Sequence, residues 1–148
     1  MQVPTLLIKE DCLRVYYAGR YSSGVNKGRS YTAYVDLDLE NFKNILTSHH
    51  DPIIEYGKPG TFDDEGLMPS EFVKVDGKIY FYYSGWNRRL TIPYHNATGV
   101  AVSDDGGNSF QRIFDGPILD RTAIEPYLAV TPSIIKENDQ WKMWYISG

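Results

Sequence analysis

Apolar positions along this chain follow a period of two, and in several stretches both phases of the alternation are apolar. In Lys78–Gly85, KIYFYYSG, residues Ile79, Phe81 and Tyr83 fall on one side of an extended strand, and Tyr80 and Tyr82 on the other. A sheet with one wet face would place polar residues at every second position. Both faces are therefore expected to be covered. A sustained 3.6-residue period is absent; only Leu39 to Leu46 has the pattern for a turn or two of helix. The pattern predicts an all-β chain.

The pattern also repeats. PSEFVKVDGKIYFYYSG, Pro69 to Gly85, and PSIIKENDQWKMWYISG, Pro132 to Gly148, share their first and last dipeptides and stand 63 residues apart. PTLLIKEDCLRVYYAG, Pro4 to Gly19, is a third copy one residue shorter. Ala33–Phe42 corresponds to Ala101–Phe110, and the Pro-Ile-Ile at Pro52 to the Pro-Ile-Leu at Pro117. One unit reads as a Pro-Ser/Thr strand, a turn, a Tyr-rich strand ending in Gly, a long loop, an Ala-x-x-Asp strand, a turn and a Phe strand. Four antiparallel strands at a fixed period predict β-propeller blades. The blade-like repeats are 4–58, 69–120 and an incomplete 132–148, within one partial domain, 1–148. A β-sandwich is the alternative, but it needs no such repeat.

Composition changes this picture little. Twelve tyrosines and three tryptophans in 148 residues favour strands. The net charge of −4, without a basic stripe, argues against a nucleic-acid partner. A lone cysteine, Cys12, leaves no internal disulfide and fits a reducing, cytoplasmic compartment. The first residues lack a basic segment and a long apolar run, so neither a signal peptide nor a membrane span is expected. His49-His50-Asp51 is read as a solvated loop, because adjacent histidines on a strand point to opposite faces. No metal or cofactor is expected.

Ser103, Asp105, Gly107 and Phe110 fit the S-x-D-x-G-x-x-[W/F] pattern of an Asp-box hairpin, a structural motif. Together with MPSEFVKVDGKIYFYYSGWN and TPSIIKENDQWKMWYISG, this stretch makes the chain resemble five-bladed propellers of the arabinanase/levansucrase/invertase type, glycoside hydrolase families 43, 32 and their relatives. The resemblance implies about two and a half blades of five, and five units of roughly 63 residues would need about 315. The remaining blades are expected from a longer chain or from self-association. The resemblance also implies a carbohydrate-active protein, a glycoside hydrolase or phosphorylase acting on or binding a small glycan. The alternatives are a non-catalytic sugar-binding or scaffold propeller, and an inactive fragment that self-associates.

In such a fold a site lies at the funnel lined by the inner strands and the loops entering them. The loops Gly57–Met68 and Asp120–Thr131 carry Asp63, Asp64 and Glu65, and Asp120 and Glu125. Glycoside hydrolysis needs two carboxyl groups flanking the scissile bond, so Asp64, Glu65 and Glu125 are the catalytic candidates. Asp63, Glu71, Trp86, Arg88, Arg89, His95 and Asn96 are the substrate-binding candidates. Trp86 offers an apolar ring for a sugar face, Arg88 and Arg89 suit a carboxylate or phosphate, and His95 and Asn96 suit hydroxyls. The resembling hydrolases carry Asp directly before the Pro that opens each inner strand. Here Val3, Met68 and Thr131 stand there, so no catalytic residue is carried over by motif.

Overall fold

The computed structural model describes residues 2–148. It holds ten strands and, among the described residues, no helix: β1 (Gln2–Ile8), β2 (Leu13–Arg20), β3 (Ser30–Leu37), β4 (Ile45–His49), β5 (Gly66–Val75), β6 (Lys78–Arg88), β7 (Tyr94–Ser103), β8 (Gln111–Arg112), β9 (Ala129–Glu137) and β10 (Gln140–Ser147). The hairpins β1–β2, β5–β6 and β9–β10 cover the three Pro-to-Gly repeats of the sequence. All the strands join in one curled, mixed sheet. Pairing is antiparallel within β1–β4, β5–β8 and β9–β10. Strand pairing joins the three groups only at single parallel bridges, Ser30 with Gly66 and Ala97 with Ala129.

The repeat extends to these junctions. Ile53 N donates to Thr32 O at 3.0 Å, and Ile118 N donates to Thr98 O at 2.8 Å. Thr32 Oγ1 reaches Leu67 O at 3.5 Å, and Thr98 Oγ1 reaches Ala129 O at 2.8 Å. Gly66 sits at φ 138°, and a Cβ there would overlap the backbone of Ser30. Only glycine lets the second group start this close to the first.

Leu39 to Leu46 forms no helix. Asp38 Oδ1 accepts from Glu40 N at 2.7 Å and Asn41 N at 3.1 Å, and Asp38 N donates to Asn44 O at 3.0 Å. This Asx turn brings Ile45–His49 back as β4 against β3. Phe42, in the turn, is exposed, whereas its repeat counterpart Phe110 is buried. The final strand of the second group, β8, is two residues long.

The core lies between the first two groups. Tyr16 of β2 stacks on Phe72 of β5 at 3.9 Å, and Phe72 stacks on Phe81 of β6 at 4.6 Å. Phe110 closes the cluster at 5.2 Å from Phe81. On the other side of β6, Tyr80 and Tyr82 face Ile134, Trp141 and Met143 of the third group. One phase of KIYFYYSG thus packs in the core, and the other faces the third group across a cavity of about 260 Å³.

Two polar devices fix how the first two groups stack. Arg14, buried on β2, pairs with Asp36 of β3 through two hydrogen bonds of 2.7 and 2.8 Å. It also donates to Gly107 O at 3.0 Å and to Asn108 Oδ1 at 2.8 Å, on the turn after β7. Burial disfavours its charge, but the bonds to Asp36 outweigh that and hold it protonated above the ordinary guanidinium range. Tyr16 OH donates to the same Gly107 carbonyl at 2.7 Å.

The Ser103–Phe110 turn is itself tightly bonded. Asp105 accepts from Ser103 Oγ at 2.7 Å, Asn108 N at 2.9 Å and Ser109 Oγ at 2.7 Å. Partial burial would raise its pKa, but these donors hold the carboxyl down at about 2.

Removing one partner of a buried ion pair strands the other charge. Asp36→Ala is therefore expected to lower stability by about 3–5 kcal/mol, measured by urea unfolding. The double change Arg14→Met with Asp36→Leu is expected to recover most of the loss. A loss that persisted in the double variant would show that packing, not the stranded guanidinium, sets the cost.

Candidate functional site

The strongest concentration of chemistry lies where β6 ends and β7 begins. Register pairs Trp86 with Asn96, Asn87 with His95 and Arg88 with Tyr94. Alternation therefore puts Trp86, Arg88, Tyr94 and Asn96 on one face, and Asn87 and His95 on the other.

A recess of about 250 Å³ opens on the first face, lined by Arg20, Met68, Trp86, Tyr94 and Asn96. Trp86 is its wall, not an open platform, being only 8% exposed. Its indole N–H donates to Ser30 Oγ at 2.6 Å, and the Arg20 guanidinium lies 5.4 Å from its ring centre. Tyr94 meets Trp86 edge-on at 6.5 Å and is 57% exposed, so it is the accessible ring. Asn96 Oδ1 is buried without a hydrogen-bond partner among the described residues.

Beside the recess is a solvent-open cleft of about 660 Å³ lined by Arg88, Arg89, Leu90, Thr91, Ile92 and Arg121. Glu65 Oε2 lies 3.2 Å from Arg88 Nε and 3.8 Å from Arg29 Nε. Its backbone is clamped at the junction: Glu65 N donates to Trp86 O and Ser30 N donates to Glu65 O, each at 3.2 Å. His95 is buried, with Nε2 at 2.9 Å from Asp120 Oδ1 and Nδ1 at 3.5 Å from Arg89 Nη2. Burial lowers the His95 pKa, Arg121 and Arg89 push it the same way, and Asp120 opposes them. The neutral ring keeps Nε2 against Asp120 without hydrogen-bond geometry and turns the Nδ1 lone pair toward Arg89.

The acidic trio divides among three tasks. Asp63 is fully buried: Oδ2 accepts from Arg112 Nε at 2.8 Å and Tyr83 OH at 3.0 Å, and Oδ1 from Thr61 Oγ1 at 3.1 Å. It anchors the loop to β6 and β8. Burial foremost, with this carboxylate, pushes the Tyr83 pKa up. Asp64 Oδ2 accepts from Gly60 N at 2.6 Å and closes the loop's turn. Of the three, only Glu65 meets an arginine of the cleft, Arg88.

Glu125 accepts from Tyr145 OH of β10 at 3.0 Å, and that bond raises the tyrosine's pKa. No hydrogen bond or ion pair joins Glu125 to Asp64 or Glu65 among the described residues. Glu71 accepts from Ser133 Oγ at 3.2 Å and from Phe72 N at 3.1 Å, linking β5 to β9.

The structure therefore gathers Glu65, Trp86, Arg88, Arg89, His95 and Asn96, and gives Asp63, Asp64, Glu71 and Glu125 other partners. Sequence reasoning passed over Arg20, Arg29, Tyr94 and Arg121. Arg20 had a signal: it follows the closing Gly19 of one repeat as Trp86 follows Gly85 of the next. Elsewhere, His49 stacks on Tyr34 at 4.8 Å and His50 Nδ1 lies 3.1 Å from Tyr17 OH. Among the described residues no cluster of three His, Cys, Asp or Glu could hold a metal. None of the described residues forms a helix long and apolar enough to cross a membrane.

No protein-family profile matches the chain. It is 32% identical over 141 residues to the uncharacterized proteins MT1551 and Rv1502 of Mycobacterium tuberculosis strains CDC 1551 / Oshkosh and ATCC 25618 / H37Rv. The match takes in 95% of this chain and 46% of each relative, so the chain spans about half the length of the curated relatives it matches. Among solved structures, it superposes on BT0996 in its RGII complex with TM-score 0.69 and 16% identity, over 97% of this chain and 47% of that one. It superposes on Zg3597, a family 117 glycoside hydrolase of Zobellia galactanivorans, with TM-score 0.60 and 21% identity, over 97% and 42%. The chain shares its fold with these two structures.

Because the folded protein favours neutral His95, the stability this group contributes is complete above its ordinary pKa of 6.5 and is lost as pH falls below it. The thermal midpoint of the native protein is expected to drop more between about pH 8 and about pH 5 than that of His95→Gln. Identical slopes for the two proteins would contradict a depressed histidine.

Proposed function

We propose that the chain forms the glycan-binding part of a carbohydrate-active five-bladed propeller, contributing blades 4–58, 69–120 and the inner hairpin 132–148. The three antiparallel groups, their recurring junction bonds and the glycoside hydrolase-like neighbours support this architecture. So do the sheet faces at the two ends of the arc. Leu6 and Ile8 of β1, and Trp144 and Ile146 of β10, are each more than half exposed. Such faces suit further blades of a longer chain, or a second copy.

The single observation that carries the binding reading is Asn96 Oδ1. A buried carbonyl oxygen without a partner costs free energy unless a donor reaches it. Asn96 lines the recess whose open ring is Tyr94, with this oxygen turned away from solvent. A sugar hydroxyl supplies the donor when the amide turns outward, and the sugar's C–H face packs on the ring. Binding accounts for the site better than hydrolysis does, because Asp63 and Asp64 are engaged within the loop and Val3, Met68 and Thr131 carry no carboxyl group. Glu65, at the edge of the cleft, is the observation that favours a hydrolytic or phosphorolytic activity as a second reading.

Titration calorimetry against a panel of small glycans tests the proposal. At least one glycan is expected to bind, with Asn96→Ala and Tyr94→Ala each weakening it about tenfold. Unchanged affinity in both variants would remove the recess as the site. Release of reducing sugar that is abolished by Glu65→Gln would move the protein to the hydrolytic reading.

A further inference from the structure

We infer that the glycan bound here carries a carboxylate, read by Arg89 and Arg121 in the cleft beside the Tyr94–Asn96 recess; this rests on the glycan-binding reading above. The chain as a whole is acidic, with a net charge of −4. Its cleft is not. Three of the six residues that line it are arginines, and none is an acid.

The neighbouring carboxylates are already engaged. Glu65 lies between Arg88 and Arg29, at 3.2 and 3.8 Å. Asp120 faces His95 at 2.9 Å, and Arg121 reaches it only at 4.0 Å. Arg89 has no carboxylate within ion-pair distance among the described residues; its polar neighbour is the His95 ring nitrogen at 3.5 Å. Two guanidinium groups therefore line the cleft with little or no compensation from the protein.

The residue type narrows the ligand. A planar guanidinium presents paired N–H donors that match the two oxygens of a carboxylate, and it is weakly hydrated for a cation. Leu90 and Ile92 add apolar wall to the same cleft.

The position of the cleft argues for an anion attached to a sugar. Arg88 and Tyr94 are directly paired across β6 and β7, and the Trp86–Asn96 pair is two residues along the same face. Side chains at such positions stand about 5–7 Å apart. One sugar unit spans that distance, with its ring on Tyr94 and its acid group toward the cleft that Arg88 shares with Arg89 and Arg121. A free oxyanion would use the arginines and leave the exposed Tyr94 ring uncovered.

The test is calorimetry on the purified full-length protein with di-galacturonate and di-glucuronate, their neutral hexose counterparts, and inorganic phosphate. At least one uronate is expected to bind at least about tenfold more tightly than its neutral counterpart, with a preference that shrinks as salt rises. Arg89→Gln and Arg121→Gln, both at exposed positions, are each expected to cut the preference about tenfold and leave neutral-sugar affinity unchanged. Equal affinity for acidic and neutral sugars would overturn the carboxylate assignment and leave the glycan-binding reading standing. Phosphate that binds as tightly as the uronates would assign the cleft to a free anion and also overturn it. If no glycan of either kind binds, the glycan-binding reading itself falls.

Discussion

A sheet whose two faces are both apolar cannot be wet on either, and the rest of this structure follows from that constraint. On β6 one face carries Ile79, Phe81 and Tyr83, all buried, and the other carries Tyr80 and Tyr82. Each face needs a neighbour of the same kind. The repeat supplies it, and the groups stack face to face with aromatic rings as the contact layer. The Tyr16–Phe72–Phe81 stack is that layer between the first two groups.

Apolar contact alone does not fix register, because stacked sheets slide at little cost in buried area. The buried polar contacts supply the directionality. Arg14 reaches across to Gly107 O and Asn108, and Tyr16 OH meets the same carbonyl. Gly107 sits at φ 84°, and a Cβ there would overlap Tyr16 OH. The turn after β7 is therefore shaped to receive the neighbouring group. Within the second group, Asp63 does the equivalent work by gathering Arg112, Tyr83 and Thr61.

The fold was legible in the sequence where the signal was repeated, and opaque where it was local. The three Pro-to-Gly repeats coincide with three hairpins, since strand alternation and a fixed period survive any tertiary detail. The helical spacing at Leu39–Leu46 lost to the Asx turn at Asp38 and to pairing with β3, which no short window contains. The acidic trio was visible as a cluster, but its division was not. Asp63 is claimed by Arg112, 49 positions away, and alternation says nothing about that choice. Tyr94 was hidden because its exposure depends on the short loop that joins β6 to β7. Arg121 was hidden because its role depends on where the chain returns after β8.

The location of the site follows from the same geometry. Adjacent groups pair their strands at one parallel bridge and the paired backbones then diverge, which leaves a wedge of space at the strand ends. Ser30 from the first group and Glu65 and Trp86 from the second meet at one such junction. Asp120 and Arg121 come from the segment leading to the third. The wedge cannot be filled by strand pairing, because the backbones have separated. Its walls are therefore side chains whose packing roles end there, which is why the candidate site lies at this junction. The anchoring of Asp63 two residues before Glu65 makes that location useful. It fixes the loop rigidly enough for Glu65 to hold Arg88 in place, and thereby sets one wall of the cleft beside the recess.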